Sequence, residues 1–342
     1  MRLRIATWLL AATFVLMGAG RGFAQGPDGD DPSALHRAML EAYEAEDYEE
    51  AVAVGRRLVK LRPSDALAYY NLACVLTLAG ETKEAHKALK RTAKLGYADL
   101  EQLDSDDDLA ALRDHKDFKK VRQRVVRNHN ARRQRFLEAV RASVPHVFAP
   151  RGYRGDEALP VVVALHDSGG DPNDFAFKYR KAASAVGALL VLPRSLYTAD
   201  GGYQWRNRQD TELLVDRALD YVGELHDIDQ DRIILSGFGQ GGEMSLALAL
   251  GSPDRYRGVI ALATDCESAE LPGDDVETSA RSGRFYLMVG DEDEALASNR
   301  AAGDQLRAAG YDAYVEVYPG LGKGFPKDRE SELKRAFEWV LR

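Results

Sequence analysis

The stretch Asp231-Arg-Ile-Ile-Leu-Ser-Gly-Phe-Gly-Gln-Gly-Gly-Glu-Met-Ser-Leu-Ala-Leu-Ala-Leu250 is laid out for one kind of chemistry. Ile233, Ile234 and Leu235 read as a buried strand, the glycines after them as a sharp turn, and the apolar residues beyond as a helix. A strand–turn–helix of pattern Gly-x-Ser-x-Gly raises a serine oxygen on the tip of the turn. There a histidine can take its proton, and the oxygen can attack an acyl carbon. The five positions in this chain are Gly237, Phe238, Gly239, Gln240 and Gly241, so the position for the oxygen holds a glycine. Glycine adopts the strained backbone of such a turn freely, so the exchange removes chemistry while relaxing the fold.

Other chemistry-bearing residues read as structural. Cys74 and Cys266 are the only cysteines, they fall in separate regions, and neither has the neighbours of a metal site. Both are expected to be free, core-filling thiols. The run Asp104-Ser-Asp-Asp-Asp108 lacks the downstream Gly and Glu of a calcium loop, and is expected to be a solvated loop with a helix cap at Asp107 or Asp108. The Arg-rich segment from Arg122 to Arg135, with His129, reads as a solvated helix face. No metal or other cofactor is expected.

The elements that must position the turn alternate regularly. An edge strand at 147–150 and a fully buried strand at 159–165 come first. Helices are expected at 173–186, 210–225, 242–250, 295–309 and 327–341, and strands at 188–192, 232–235, 258–263, 285–289 and 313–318. This alternation predicts an α/β unit with a doubly wound, mainly parallel sheet, whose chemistry sits at the carboxyl ends of the strands.

The first part of the chain follows a different rule. Tyr48-Glu-Glu-Ala51 recurs in kind as Thr82-Lys-Glu-Ala85, and the two alanines stand 34 residues apart, the tetratricopeptide period. The second unit offers Tyr69, Leu72, Ala73, Leu76, Gly80, Ala85 and Leu89 where large and small residues alternate in that pattern; the first departs from it at Met39 and Gly55. The segment resembles a tetratricopeptide pair beginning near Ser33, a potential N-cap, with capping helices at 109–126 and 132–140.

Residues 145–342 resemble the carboxylesterase, feruloyl-esterase and polyhydroxyalkanoate-depolymerase branch of the α/β-hydrolases. The carrying motifs are Val163-Ala-Leu-His-Asp-Ser-Gly-Gly170, the 231–242 stretch, Val289-Gly-Asp-Glu-Asp293 and Tyr318-Pro-Gly-Leu-Gly-Lys-Gly-Phe325. The resemblance implies a Ser-His-Asp triad, but its positions are Gly239, Lys323 and Asp293. Only the acid is retained, and it is expected to pair with Lys323. The oxyanion region is His166, Asp167, Ser168 and Gln240, with Asp167 where relatives carry glycine. A carboxylate there repels the anion the hole should hold, unless it turns to solvent. Tyr203 and Trp205 fall where relatives build substrate contacts, although buried packing of Trp205 is an equal alternative. Ser168, Ser236 and Ser245 are the serines that could act as a displaced nucleophile, and none has a histidine obviously placed to serve it.

Arg2 and Arg4 precede an apolar run at 5–17, and Gly22-Phe23-Ala24 offers the small residues of a cleavage site, so 1–24 reads as a signal peptide of an exported protein. A polar lead-in at 25–32, helical repeats at 33–143 and an α/β-hydrolase domain at 144–342 complete the expected organisation. A net charge of −8 argues against a nucleic-acid surface, and no later segment is apolar enough to span a membrane. The combined expectation is a pseudo-esterase: a protein or peptide on the repeats, an acyl, aryl-ester or glycan-linked ligand in the former cleft, and no hydrolysis. The alternative is an active secreted esterase using a displaced serine.

Overall fold

The computed structural model describes residues 31–155, 157–199, 201–267, 271 and 283–342. The signal peptide expected at 1–24 lies outside them, as does most of the lead-in. Contacts divide the chain into two units, the first ending at Glu138 and the second beginning at Ala139.

The described residues of the first unit are all helical: α1 (Pro32–Glu44), α2 (Tyr48–Leu61), α3 (Ala66–Leu78), α4 (Thr82–Lys94), α5 (Leu100–Ser105), a 3-10 turn (Asp107–Leu112) and, as far as Glu138, α6 (Lys116–Ala142). Aspartate side chains start most of them. Asp31, Asp47, Asp65 and Asp99 each accept backbone N–H groups at the first turn of α1, α2, α3 and α5, where the helix leaves donors unpaired. Asp31, not Ser33, is thus the cap of α1. Ala51 and Ala85, 34 residues apart, occupy corresponding places in α2 and α4 and are wholly buried. At Gly55 a Cβ would stand 3.1 Å from both Leu72 and Met39, so a small residue is what lets those helices close up. The two helices expected at 109–126 and 132–140 are largely one, because no Gly or Pro interrupts the segment between them. Its basic face is only partly solvated. Arg122 makes a forked pair with Asp104, and Arg124 and Asn128 donate to the carbonyl of Ala93 in the last turn of α4.

The second unit contains β1 (His146–Phe148), β2 (Leu159–Leu165), α7 (Pro172–Ala185), β3 (Leu189–Leu192), β4 (Tyr197–Ala199), β5 (Gly202–Gln204), α8 (Arg208–Leu225), β6 (Ile228–Phe238), α9 (Gln240–Gly251), β7 (Gly258–Leu262), β8 (Arg284–Gly290), α10 (Leu296–Ala308), β9 (Asp312–Tyr318) and α11 (Arg329–Leu341). Seven strands form one sheet in the order β1-β3-β2-β6-β7-β8-β9, parallel except for β1. All of β2 and β3 is buried, as an inner strand covered on both faces must be. Val162, Ala164, Leu190, Ile234, Ile260 and Met288 pack on one face with Phe175 and Tyr179 of α7 and Leu333 and Phe337 of α11. The chain proceeds outward from β2 to β3, then returns to β6 on the other side of β2 and continues outward from there. The strand order therefore reverses between β2 and β6, the place where doubly wound sheets open a crevice at their carboxyl ends.

Candidate functional site

The two strands flanking that reversal deliver the site. Leu165 is in register with Gly237, so His166-Asp167-Ser168 leaves β2 beside the turn that leaves β6. Gly237 is held by close approach, since a Cβ there would fall 2.2 Å from the Gly241 carbonyl carbon. Gly239 has φ +54° and ψ −121°, in the left-handed half of the map, and starts α9 without a side chain to cap it. The sharp strand-to-helix turn expected from the sequence is thus built, with a bare backbone at its tip.

Asp167 does not turn to solvent. Its Oδ1 accepts backbone N–H groups from Gln240 at 2.9 Å and from Ser168 at 2.8 Å. Gln240 opens α9, whose positive end favours an anion. A Cβ placed on Gly239 would lie 2.2 Å from Asp167 Oδ1, 2.6 Å from its Cγ and 2.8 Å from Oδ2. The carboxylate therefore fills the space next to a nucleophile's position.

Lys323 and Asp293 do not behave as expected. The cation approaches Asp167 instead, with Nζ 3.8 Å from Oδ2 and the lysine side chain 59% exposed. An exposed ammonium beside a carboxylate is drawn to that charge. Asp293 is buried; its Oδ1 accepts the Ala295 N–H at 3.0 Å, while its Oδ2 has no hydrogen-bond partner. A buried acceptor normally has a donor, and here it lacks one.

His166 is committed to the fold. Nδ1 donates to the Asp167 carbonyl at 2.8 Å, Nε2 accepts the Ser195 N–H at 3.4 Å, and the ring stacks on Trp205 at 4.7 Å. Burial holds the imidazole below its usual pKa, against the pull of the Asp167 carbonyl and nearby carboxylates, so the neutral ring is favoured. Trp205, also buried, donates Nε1–H to the His166 carbonyl and its backbone N–H to the Gln240 side chain. It packs as a buried ring against His166. Tyr203 pairs its backbone with Gly169 and Gly170, with Arg194 over its ring. This contact comes from the short β4–β5 hairpin, which the sequence pattern does not show.

Of the other oxygen and sulfur nucleophiles, Ser236, Ser245 and both cysteines are buried. The Ser236 hydroxyl donates to the Ile260 carbonyl and meets Tyr179, and Ser245 donates to Gly241; both are fully buried. Ser168 is exposed. Among the described residues no serine hydroxyl is hydrogen-bonded to a histidine. Both cysteines are free and buried. Burial, with Asp265 and Glu243 nearby, pushes the Cys266 thiol up to about 12. Cys74 departs from expectation: folding brings its sulfur and one oxygen each of Asp106 and Asp108 within 4.8 Å of one another. Those atoms already hydrogen-bond. Asp106 accepts from Tyr70 and from the thiol, and Asp108 from Tyr43, so the acidic run is half-buried rather than a solvated loop. Its cap is Asp106, one residue before the positions expected.

Phe325 was not given a role from sequence. It stacks on Phe238 at 4.8 Å, nearly parallel, and Lys178 lies 4.8 Å over its ring. It ties the loop that bears Lys323 to the last residue of β6, next to Gly239; the signal is an aromatic two residues beyond Lys323.

This geometry defines a class: a doubly wound, mainly parallel α/β sheet with a strand-to-helix turn at the switch point and an N–H pair beside it. Residues 205–320 match the Phospholipase/Carboxylesterase family. The chain is 30% identical over 108 residues to acyl-protein thioesterase 1 of Gibberella zeae, a match covering 30% of this chain and 46% of that protein. The chain thus spans about half the length of that relative. Among solved structures it is similar to an uncharacterized protein from Bacillus cereus (20% identity, 90% of this chain and 98% of that one, TM-score 0.47) and to esterase PE8 (18%, 58% and 99%, TM-score 0.48). The similarity to the Phospholipase/Carboxylesterase family thus lies within the second unit and takes in the strand-to-helix turn at Gly239.

Proposed function

We propose that this chain is a non-catalytic relative of the carboxylesterases, exported through its N-terminal segment, that binds or scaffolds instead of hydrolysing. The observation that carries the reading is the Asp167 carboxylate, hydrogen-bonded to the Gln240 N–H in the space a residue-239 side chain would need. Acyl transfer there lacks its nucleophile and its base, and an anion already occupies the donors that would stabilise the transition state. In a comparable triad, loss of nucleophile or base alone costs about 10⁶ in rate. The cleft is proposed to retain an acyl, aryl-ester or glycan-linked ligand. The helices of the first unit are proposed to be tetratricopeptide-like and to present a protein or peptide surface.

The test is incubation of the full chain with short-chain nitrophenyl esters and with a fluorophosphonate probe. No turnover and no labelling are expected. Labelling abolished by changing Ser168, Ser236 or Ser245 would establish displaced-nucleophile catalysis and end this reading.

A further inference from the structure

Two backbone N–H groups converging on one oxygen at 2.8 and 2.9 Å are the arrangement that stabilises a tetrahedral oxyanion, for which donors stand about 2.7–3.1 Å from the charged atom. Here the oxygen they hold is Asp167 Oδ1. The donors have not been dismantled; they have been given a ligand from within the chain. Resting on the reading of the cleft as non-catalytic, we propose that Asp167, Gly239 and Lys323 are one coupled replacement, in which the Asp167 carboxylate is the internal ligand of an oxyanion hole the chain still builds, so that ester hydrolysis returns only when all three positions are changed together.

The coupling follows from the distances. All three atoms of the Asp167 carboxylate lie within 2.8 Å of where a Cβ on residue 239 would be, so the carboxylate in this place and any side chain at 239 exclude each other. A side chain at 239 fits only if Asp167 rotates out and gives up both N–H bonds. The exchange of serine for glycine and of glycine for aspartate are therefore two halves of one change. Lys323 is the third part: its Nζ lies 3.8 Å from the carboxylate oxygen that the N–H pair does not hold, and partly balances the charge left there. Asp293 remains, with a buried Oδ2 lacking the donor an imidazole would bring. What survives is the turn, the two donors and the acid; what is missing is the nucleophile, the base and a vacant hole.

Restoring all three would complete the chemistry. An introduced serine at 239 passes its proton to an introduced imidazole at 323 as its oxygen bonds to the ester carbonyl carbon. The carbonyl π pair moves onto the carbonyl oxygen, held by the Gln240 and Ser168 N–H groups. Collapse breaks the bond to the leaving alkoxide, which takes the proton from the imidazolium, and water repeats the sequence to release the acid.

The experiment compares the Gly239→Ser/Lys323→His double variant with the Asp167→Gly/Gly239→Ser/Lys323→His triple variant, using nitrophenyl acetate hydrolysis and fluorophosphonate labelling of the full chain. The triple variant is expected to exceed the double by about 10² or more in rate, the size of one oxyanion-hole interaction, and to label at position 239. Equal rates in the two, or a folded triple variant that neither turns over nor labels, would overturn the proposal. A stability cycle reads the same coupling without activity. Gly239→Ala is expected to lower the thermal midpoint by about 5 °C in the wild-type background, with at least half of the fall disappearing in an Asp167→Gly background. Equal falls in both backgrounds would also overturn it. Ester turnover by the unmodified chain would instead defeat the non-catalytic reading, an outcome the cycle does not depend on.

Discussion

Asp106 in the first unit and Asp293 in the second are both carboxylates drawn inward, and their surroundings differ in kind. Asp106 Oδ2 accepts the Tyr70 hydroxyl at 2.7 Å and the Cys74 thiol at 3.6 Å, and Oδ1 accepts the Asp108 N–H at 3.0 Å. Asp293 has one accepting oxygen and one with none. A carboxylate recruited to hold helices together is met by a donor for each oxygen. Asp293 keeps its position without a donor on Oδ2, because its Oδ1 accepts the Ala295 N–H. On the proposed non-catalytic reading, the unpaired oxygen is what a lost partner would leave behind, while the paired ones hold structure.

The contrast is sharpest at Asp106. Asp106→Ala strips acceptors from a buried tyrosine hydroxyl and a buried thiol and removes the cap of the 3-10 turn, at a cost of about 2–4 kcal/mol. Hydrogen exchange of α3 in the full chain measures it, and a loss under about 0.5 kcal/mol would erase the distinction. His166 extends the comparison into the second unit, as a polar group with both ring atoms engaged and its folded pKa held below the ordinary 6.5 by burial. Because the unfolded state protonates first, its contribution is present above about pH 6.5 and is lost as pH falls toward the folded value. Urea unfolding at pH 7, 6 and 5 should show stability falling on acidification, with His166→Gln flattening the dependence. The smallest effect is expected at Asp293. Asp293→Asn keeps an acceptor for Ala295 and discharges the unpaired oxygen, so stability should stay within about 1 kcal/mol of wild type, on the stabilising side. A loss of more than about 2 kcal/mol would mean that Oδ2 has a donor after all.

Much of the scaffold was readable in the chain itself. The alternation from 159 onward became the parallel sheet and its helices, and the glycine at the nucleophile's place was evident from five residues. The apolar stretches at 109–126 and 132–140 read as two helices, and the folded chain runs one helix through 126–132 because no Gly or Pro between them breaks it. The β4–β5 hairpin escaped because three-residue strands carry too little pattern. The partner of Lys323 was expected to be Asp293, the family's acid. It is Asp167, which the expectation had either repelling an anion or turned toward water. That residue's hydrogen-bond partner lies 73 positions along the chain.

The amino-acid order alone settled that no hydroxyl stands at 239 and no imidazole at 323, since composition at a position needs no fold to be known. It also settled the alternation of helices and sheet strands from 159 onward, the β4–β5 hairpin apart, because periodicity of apolar residues acts over a few neighbours. Only the folded chain decided where the Asp167 carboxylate goes. A side chain's partner is chosen by which donors the strand ends and the start of α9 bring within about 3 Å, and that meeting is set by the packing of the whole sheet.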